Sequence, residues 1–167
     1  MKITLYFSLI LIILLSCNVR QKHLEHYLST GVENMKLFSS NKLDSLKINT
    51  FYTNAEKCLK AGGLYCDVCN PEVWANFKNG MHNFRIELLK NFKLPKNAIG
   101  GESRIRITIG THHKIEKIEV LKYTDKNTKK AIEDVFRLEE LNVWTSAKIY
   151  GIPVKEQFEI SVFVIRK

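Results

Sequence analysis

From Asn79 to the C terminus, the apolar positions of the chain fall into two clear periods. Met81, Phe84, Leu88 and Leu89, with Phe92 beyond, recur at three- and four-residue spacing and predict an amphipathic helix over 79–91. Leu94-Pro95 ends it, because proline cannot continue the ladder of amide donors. Arg104 to Ile109 then alternates basic and apolar residues, the period-two mark of a half-buried strand. Gly110 to Lys114 is the expected turn, and Ile115 to Tyr123 the partner strand, with Ile118 and Val120 on one face. Thr128 is expected to cap a helix running to Leu138 whose inner face holds Ala131, Ile132, Val135 and Phe136. The final strand, about 156–165, turns Phe158, Ile160, Val162 and Val164 inward and Phe163 to the other face. Between the second helix and that strand, Trp144 to Val154 reads as a hinge. Gly151 and Pro153 punctuate it, and Trp144 is expected to bury against both neighbours.

Helix, hairpin, helix and strand predict an α+β fold over 80–167: a two-layer sandwich of a small antiparallel three-stranded sheet and two packed helices. A helical, cysteine-containing extension over 31–79 is expected to precede it. Within that extension a helix is read from Ser45 to Lys60, ended by Gly62-Gly63. Residues 17–30 are polar beyond the cysteine and are expected to be a linker.

The N terminus supplies an address. Lys2 is followed by an uncharged apolar run, Ile3 to Leu15, and then Ser16-Cys17. The run is shorter than the roughly 20 residues that span a bilayer core as a helix, and it has the length of a signal-peptide core. Leu14-Leu15-Ser16-Cys17 resembles a bacterial lipobox, which implies a signal peptide over 1–16 and lipid attachment at Cys17. An uncleaved short anchor and a buried core segment are the other readings. A membrane address makes nucleic acid a poor partner for the net charge of +9, and a lysine-rich solvated surface accounts for it.

With Cys17 lipidated, Cys58, Cys66 and Cys69 remain. A structural disulfide among them, joining Cys58 to Cys66 or Cys69, is the expectation in an oxidising envelope. Free thiols, or a redox or zinc role for Cys66-Asp67-Val68-Cys69, are the alternatives; the motif lacks a second ligand pair. No catalytic constellation stands out. His112 and His113 are adjacent in a turn, Glu116 and Glu119 lie on opposite sides of a strand, and Glu139-Glu140 reads as a solvated helix end. No cofactor or metal is expected, and the chain is read as non-enzymatic.

Residues from about Gly80 to Arg166 resemble the C-terminal periplasmic domain of TonB, especially its Bacteroidetes versions. The match rests on Phe84, Leu88, Leu94-Pro95, Ala98, the strands 104–109 and 115–121, Ala131, Trp144, Ala147, Gly151, Pro153-Val154 and the strand from Phe158 to Phe163. His112-His113-Lys114 replaces the usual Asp-Gly turn, and Ser146 stands where proline is common. The resemblance implies a binding module whose free sheet edge accepts an extended segment of an outer-membrane TonB-dependent receptor or another envelope protein. The candidate edge is Phe158, Glu159, Ile160, Ser161, Val162, Phe163 and Val164, with core packing as the competing role for these residues. The expected location is the outer membrane, facing the periplasm, through the lipid anchor. The alternatives are a self-associating structural lipoprotein, with a homodimer as its form, and a truncated energy transducer for transmembrane transport.

Overall fold

The computed structural model describes residues 24–63 and 71–166. Among the described residues the architecture is α+β, with three α-helices and antiparallel sheets. Strands β1 (Leu24–Leu28) and β2 (Glu33–Phe38) lead into helix α1 (Lys42–Lys60). Two short strands, β3 (Glu72–Val73) and β4 (Asn76–Phe77), precede helix α2 (Gly80–Asn91). The hairpin β5 (Gly101–Ile109) and β6 (Ile115–Lys122) is followed by helix α3 (Lys126–Val135) and a 3-10 turn over Glu139–Leu141. Strands β7 (Trp144–Thr145), β8 (Lys148–Ile149) and β9 (Ile152–Pro153) then lead to β10 (Lys155–Arg166).

Among the described residues the main sheet has five strands rather than three. β10 lies inside it, with β5 and then β6 on one side and both β1 and β2 on the other. Two small sheets, β3-β8-β9 and β4-β7, close the end where β10 begins. The linker expected over 17–30 is therefore shorter than its composition suggests, since Leu24–Leu28 is a full sheet member. Part of the extension, Glu33–Phe38, is likewise strand and not helix.

Local chemistry fixes the helix ends. Asn41 Oδ1 accepts from the Asp44 N–H at 2.9 Å and opens α1, which closes at Ala61 before Gly62 turns left-handed at φ 73°. α3 is capped by Asp125, not by Thr128. The Asp125 Oδ1 atom accepts from the Asn127 and Thr128 N–H groups at 2.9 Å each, and Thr128 Oγ1 donates to Oδ2 at 2.7 Å. Aspartate wins because its two oxygens also take the Ile99 N–H at 3.0 Å, tying the loop before β5 to the helix start.

The core lies between the inner sheet face and helices α2 and α3. Phe84 and Leu88 of α2, Ile132 and Val135 of α3, Ile105, Ile107 and Ile109 of β5, and Phe158, Ile160 and Val162 of β10 are all buried there. Trp144 is buried at the junction: its ring centroid lies 5.0 Å from that of Phe84, 5.3 Å from Phe77 and 5.9 Å from Phe158, and its Nε1 donates to Leu141 O at 2.9 Å. Each such side chain gains about 1.5–3 kcal/mol from burial, so this aromatic cluster dominates the packing of the helical layer. Leu89 departs from the expected helical stripe and is exposed.

Candidate binding edge and the open face of the sheet

The strand nominated as a free edge is paired along both sides. On one side β10 runs antiparallel to β5, from Glu156 opposite Ile109 to Val164 opposite Gly101. On the other, β1 covers its second half, with Leu28 opposite Val162, Tyr27 opposite Phe163 and His26 opposite Val164. β2 covers the first half, with Phe38 opposite Lys155, Leu37 opposite Glu156 and Glu33 opposite Glu159. The two segments act as one interrupted strand. Across the break, the Ser29 N–H donates to Ser161 O at 2.8 Å, and the Ser161 N–H donates to Ser29 Oγ at 3.2 Å.

Phe158, Glu159, Ile160, Ser161, Val162, Phe163 and Val164 therefore form an interior strand, and the reading of them as an exposed edge is corrected. The physical reason is that each interior strand needs partners for both rows of its main-chain groups, and residues 24–38 supply the second row. Phe158, Ile160, Val162 and Val164 point into the core. Glu159, Ser161 and Phe163 lie on the opposite, open face.

That open face carries a built network. Glu159 is buried, and its Oε1 accepts from Arg106 Nε at 3.0 Å and NH2 at 2.8 Å, while Oε2 accepts from Asn34 Nδ2 at 2.8 Å. Burial pulls the Glu159 carboxyl up, but the Asn34 amide and the Arg106 guanidinium outweigh it and hold the group below its ordinary value. Nearby, Glu102 accepts from Lys122 Nζ at 2.8 Å, Ser161 Oγ at 2.7 Å and Arg104 NH2 at 3.2 Å. Chiefly through the Lys122 bond, its carboxyl is pulled down to about 2. Tyr27 of β1 stacks on Phe163 at 5.0 Å between ring centroids. The Asn34–Glu159 bond and the Tyr27–Phe163 stack cross from β2 and β1 to β10, so they fasten residues 24–38 in place by side chain as well as main chain.

The outer strands of the main sheet are thus β6 on one side and β1 with β2 on the other. The second of these is interrupted at 29–32 and kinked at Asn34, whose φ is 52°. β6 is an eight-residue strand, and it presents Glu116, Lys117, Glu119 and Lys122. Lys117 and Glu119 pair at 2.9 Å, and Lys155 pairs with Glu116.

Cys17, Cys66 and Cys69 lie outside the described residues, as does the segment over 1–16. Cys58, half-buried in the last turn of α1, is disulfide-bonded. The two turn histidines differ in role. His112 is exposed beside Ser40, Asp44 and Pro153, whereas His113, at φ 62°, is locked to the hinge. Its N–H donates to Ser146 Oγ at 2.8 Å, its Nδ1 accepts from the Ser146 N–H at 3.0 Å, and Ser146 Oγ donates to Gly110 O at 2.7 Å. The serine hydroxyl is thus aimed at a carbonyl and not at the imidazole, so the pair fastens the turn. Glu116 and Glu119 are held in separate ion pairs. Glu139 and Glu140 stand exposed in the 3-10 turn. Among the described residues no cluster of three or more His, Cys, Asp or Glu is placed to hold a metal, and no helix is long and apolar enough to cross a membrane.

One polar residue escaped the sequence reading. Glu156 is fully buried on the core face of β10, where its Oε2 accepts from the Ala75 N–H at 2.5 Å and its Oε1 has no partner. The signal was present in its parity, since Glu156 shares a face with Phe158 and Ile160. Comparison with protein-family models, with curated proteins and with solved structures finds no match.

Proposed function

We propose that this chain is a non-enzymatic binding module of the cell envelope. It is held at a membrane through Cys17 and takes up an extended segment of a partner protein by strand addition. The partner class is the N-terminal region of an outer-membrane TonB-dependent receptor, or another envelope protein presenting an extended segment. The observation that carries the reading is the sheet's mode of assembly: residues 24–38, which begin inside the expected linker, already lie along β10 as an added antiparallel strand. With that position filled, the acceptor is the outer edge of β6. Its row of main-chain groups supplies affinity, and the alternating Lys and Glu side chains supply selectivity for a segment of complementary charge.

Proline substitution tests this reading. Adjacent residues of an antiparallel strand direct their N–H groups to opposite sides, so of Lys117→Pro and Ile118→Pro one removes a donor toward β5 and the other removes a donor on the free edge. The variant that keeps wild-type thermal stability is expected to lose co-isolation of the partner from solubilised envelopes. Undiminished partner recovery with that variant would refute β6 as the acceptor.

A further inference from the structure

We propose that Glu156 is a proton-operated latch. As a neutral acid it holds the Pro71–Phe77 segment against the start of β10, and as a carboxylate it releases that segment from the domain. The inference is independent of what the sheet edge binds.

The geometry is that of a buried acid in an unequal cage. In the sheet, Glu156 lies between Ile109 of β5 and Leu37 of β2, two apolar neighbours. Above it sits Ala75, whose N–H makes the one hydrogen bond the carboxyl receives. Among the described residues no charged group compensates it. On its own strand Lys155 is engaged with Glu116. On the overlying segment Glu72 accepts from Tyr52 OH at 3.0 Å. Lys36 of β2 and Lys148 of β8 are exposed. A carboxylate with a single donor and an orphaned oxygen is costly in such a place, and burial, partly offset by the Ala75 N–H, moves this group's ionisation up to about 7.

Ionisation therefore demands water, and the cage decides where water enters. β5 is held by a nine-pair ladder and the core behind it, and β2 by the ladder that pairs Phe38, Leu37 and Lys36 with Lys155, Glu156 and Gln157. The Pro71–Phe77 segment is held by two two-residue strand pairs, β3 with β8 and β4 with β7, by the Tyr150 N–H to Pro71 O bond of 2.7 Å and the Lys78 N–H to Val143 O bond of 2.9 Å, by the Tyr52–Glu72 bond, and by the Phe77 ring against Trp144 and Phe84. Local opening follows the weakest cooperative unit, which is this segment. Trp74 and Val73 already stand exposed beside Ala75. Opening uncovers Ala75 and Phe77 and, behind them, one side of the Trp144 cluster. Acidification closes the apolar patch, and a shift to mild alkali opens it.

The test is amide hydrogen exchange on the full-length protein from pH 5 to pH 9, corrected for the intrinsic pH dependence of exchange, in wild type and in Glu156→Gln. In wild type the protection of Ala75 and Phe77 is expected to fall about tenfold or more across neutrality, while that of β5 stays level. In Glu156→Gln the profile should be flat. Equal profiles in the two proteins would overturn the latch. Should Glu156→Gln not fold, a carbon-13 titration of the wild-type Glu156 carboxyl decides the matter. Ionisation near neutrality accompanied by a shift of the Ala75 amide supports the proposal, and ionisation in the ordinary carboxylate range overturns it.

Discussion

Asp125 gathers more donors than any other side chain near a helix end, and its effect is measurable in acid. Burial pulls its carboxyl up, but the backbone N–H of Ile99, the Thr128 hydroxyl and the N–H groups of Thr128 and Asn127 prevail and bring it down to about 2 from 3.8. A depressed carboxyl contributes stability that is complete above its unfolded value and disappears as pH falls toward the folded one. Asp125→Ala is therefore expected to destabilise the domain by about 1 kcal/mol at pH 7, with the difference from wild type narrowing between pH 4 and pH 2. Thermal unfolding at several pH values checks this. Glu156 works with the opposite sign. Its raised carboxyl favours the fold below about pH 4.5, and that contribution is lost as pH rises to about 7. Glu156→Gln should accordingly gain on wild type most at pH 8 and least at pH 4.5 in the same unfolding series.

At the scale of elements, the strand formed by residues 24–38 depends on a few anchors. Leu28 is buried, His26 meets Phe92 edge-on at 5.0 Å, and Asn34 bonds Glu159. Leu28→Asp places a charge in the core beside Val162. It is expected to detach β1, seen as loss of hydrogen-exchange protection over 24–28 and over the outward-facing amides of 162–165, with the β5–β6 hairpin unaffected. Much of the framework was legible in the sequence because periodicity reports burial on one face. The stripe of Phe84 and Leu88 and the alternation of Phe158 to Val164 each mark a side that meets the core. β1 and β2 were not legible in that way. Leu24, His26 and Leu28 give only three alternating positions, one of them histidine, and β2 is exposed along most of its length, so its place comes from main-chain pairing that leaves no side-chain period. The cap of α3 lies three positions before the expected one because Thr128 and Asp125 are both acceptable caps by type, and the Ile99 N–H that decides between them comes from a distant loop. The burial of Glu156 is legible only through parity, because a polar residue at a strand's start otherwise suggests the solvent side.

For the molecule as a whole, the disulfide at Cys58 constrains the last turn of α1. α1 buries only Ile48, while Phe51 stacks on Tyr150 at 5.1 Å and Tyr52 meets it edge-on at 5.2 Å. Reduction is therefore expected to lower overall stability by about 2–4 kcal/mol and to loosen α1 first, as followed by denaturant unfolding and by exchange over 42–60 with and without reductant. The functional account turns on which edge of the sheet is open. The direct measurement is an in-cell crosslinking scan that places a photoreactive residue at successive positions from Glu116 to Lys122 and, for comparison, from Phe158 to Val164, with captured segments identified by mass spectrometry. The account predicts capture of an extended segment of another envelope protein along β6, and capture of residues 24–38 of the same chain from β10. Capture of a second copy of this chain along β6, or of a foreign segment at β10 in place of residues 24–38, would contradict it.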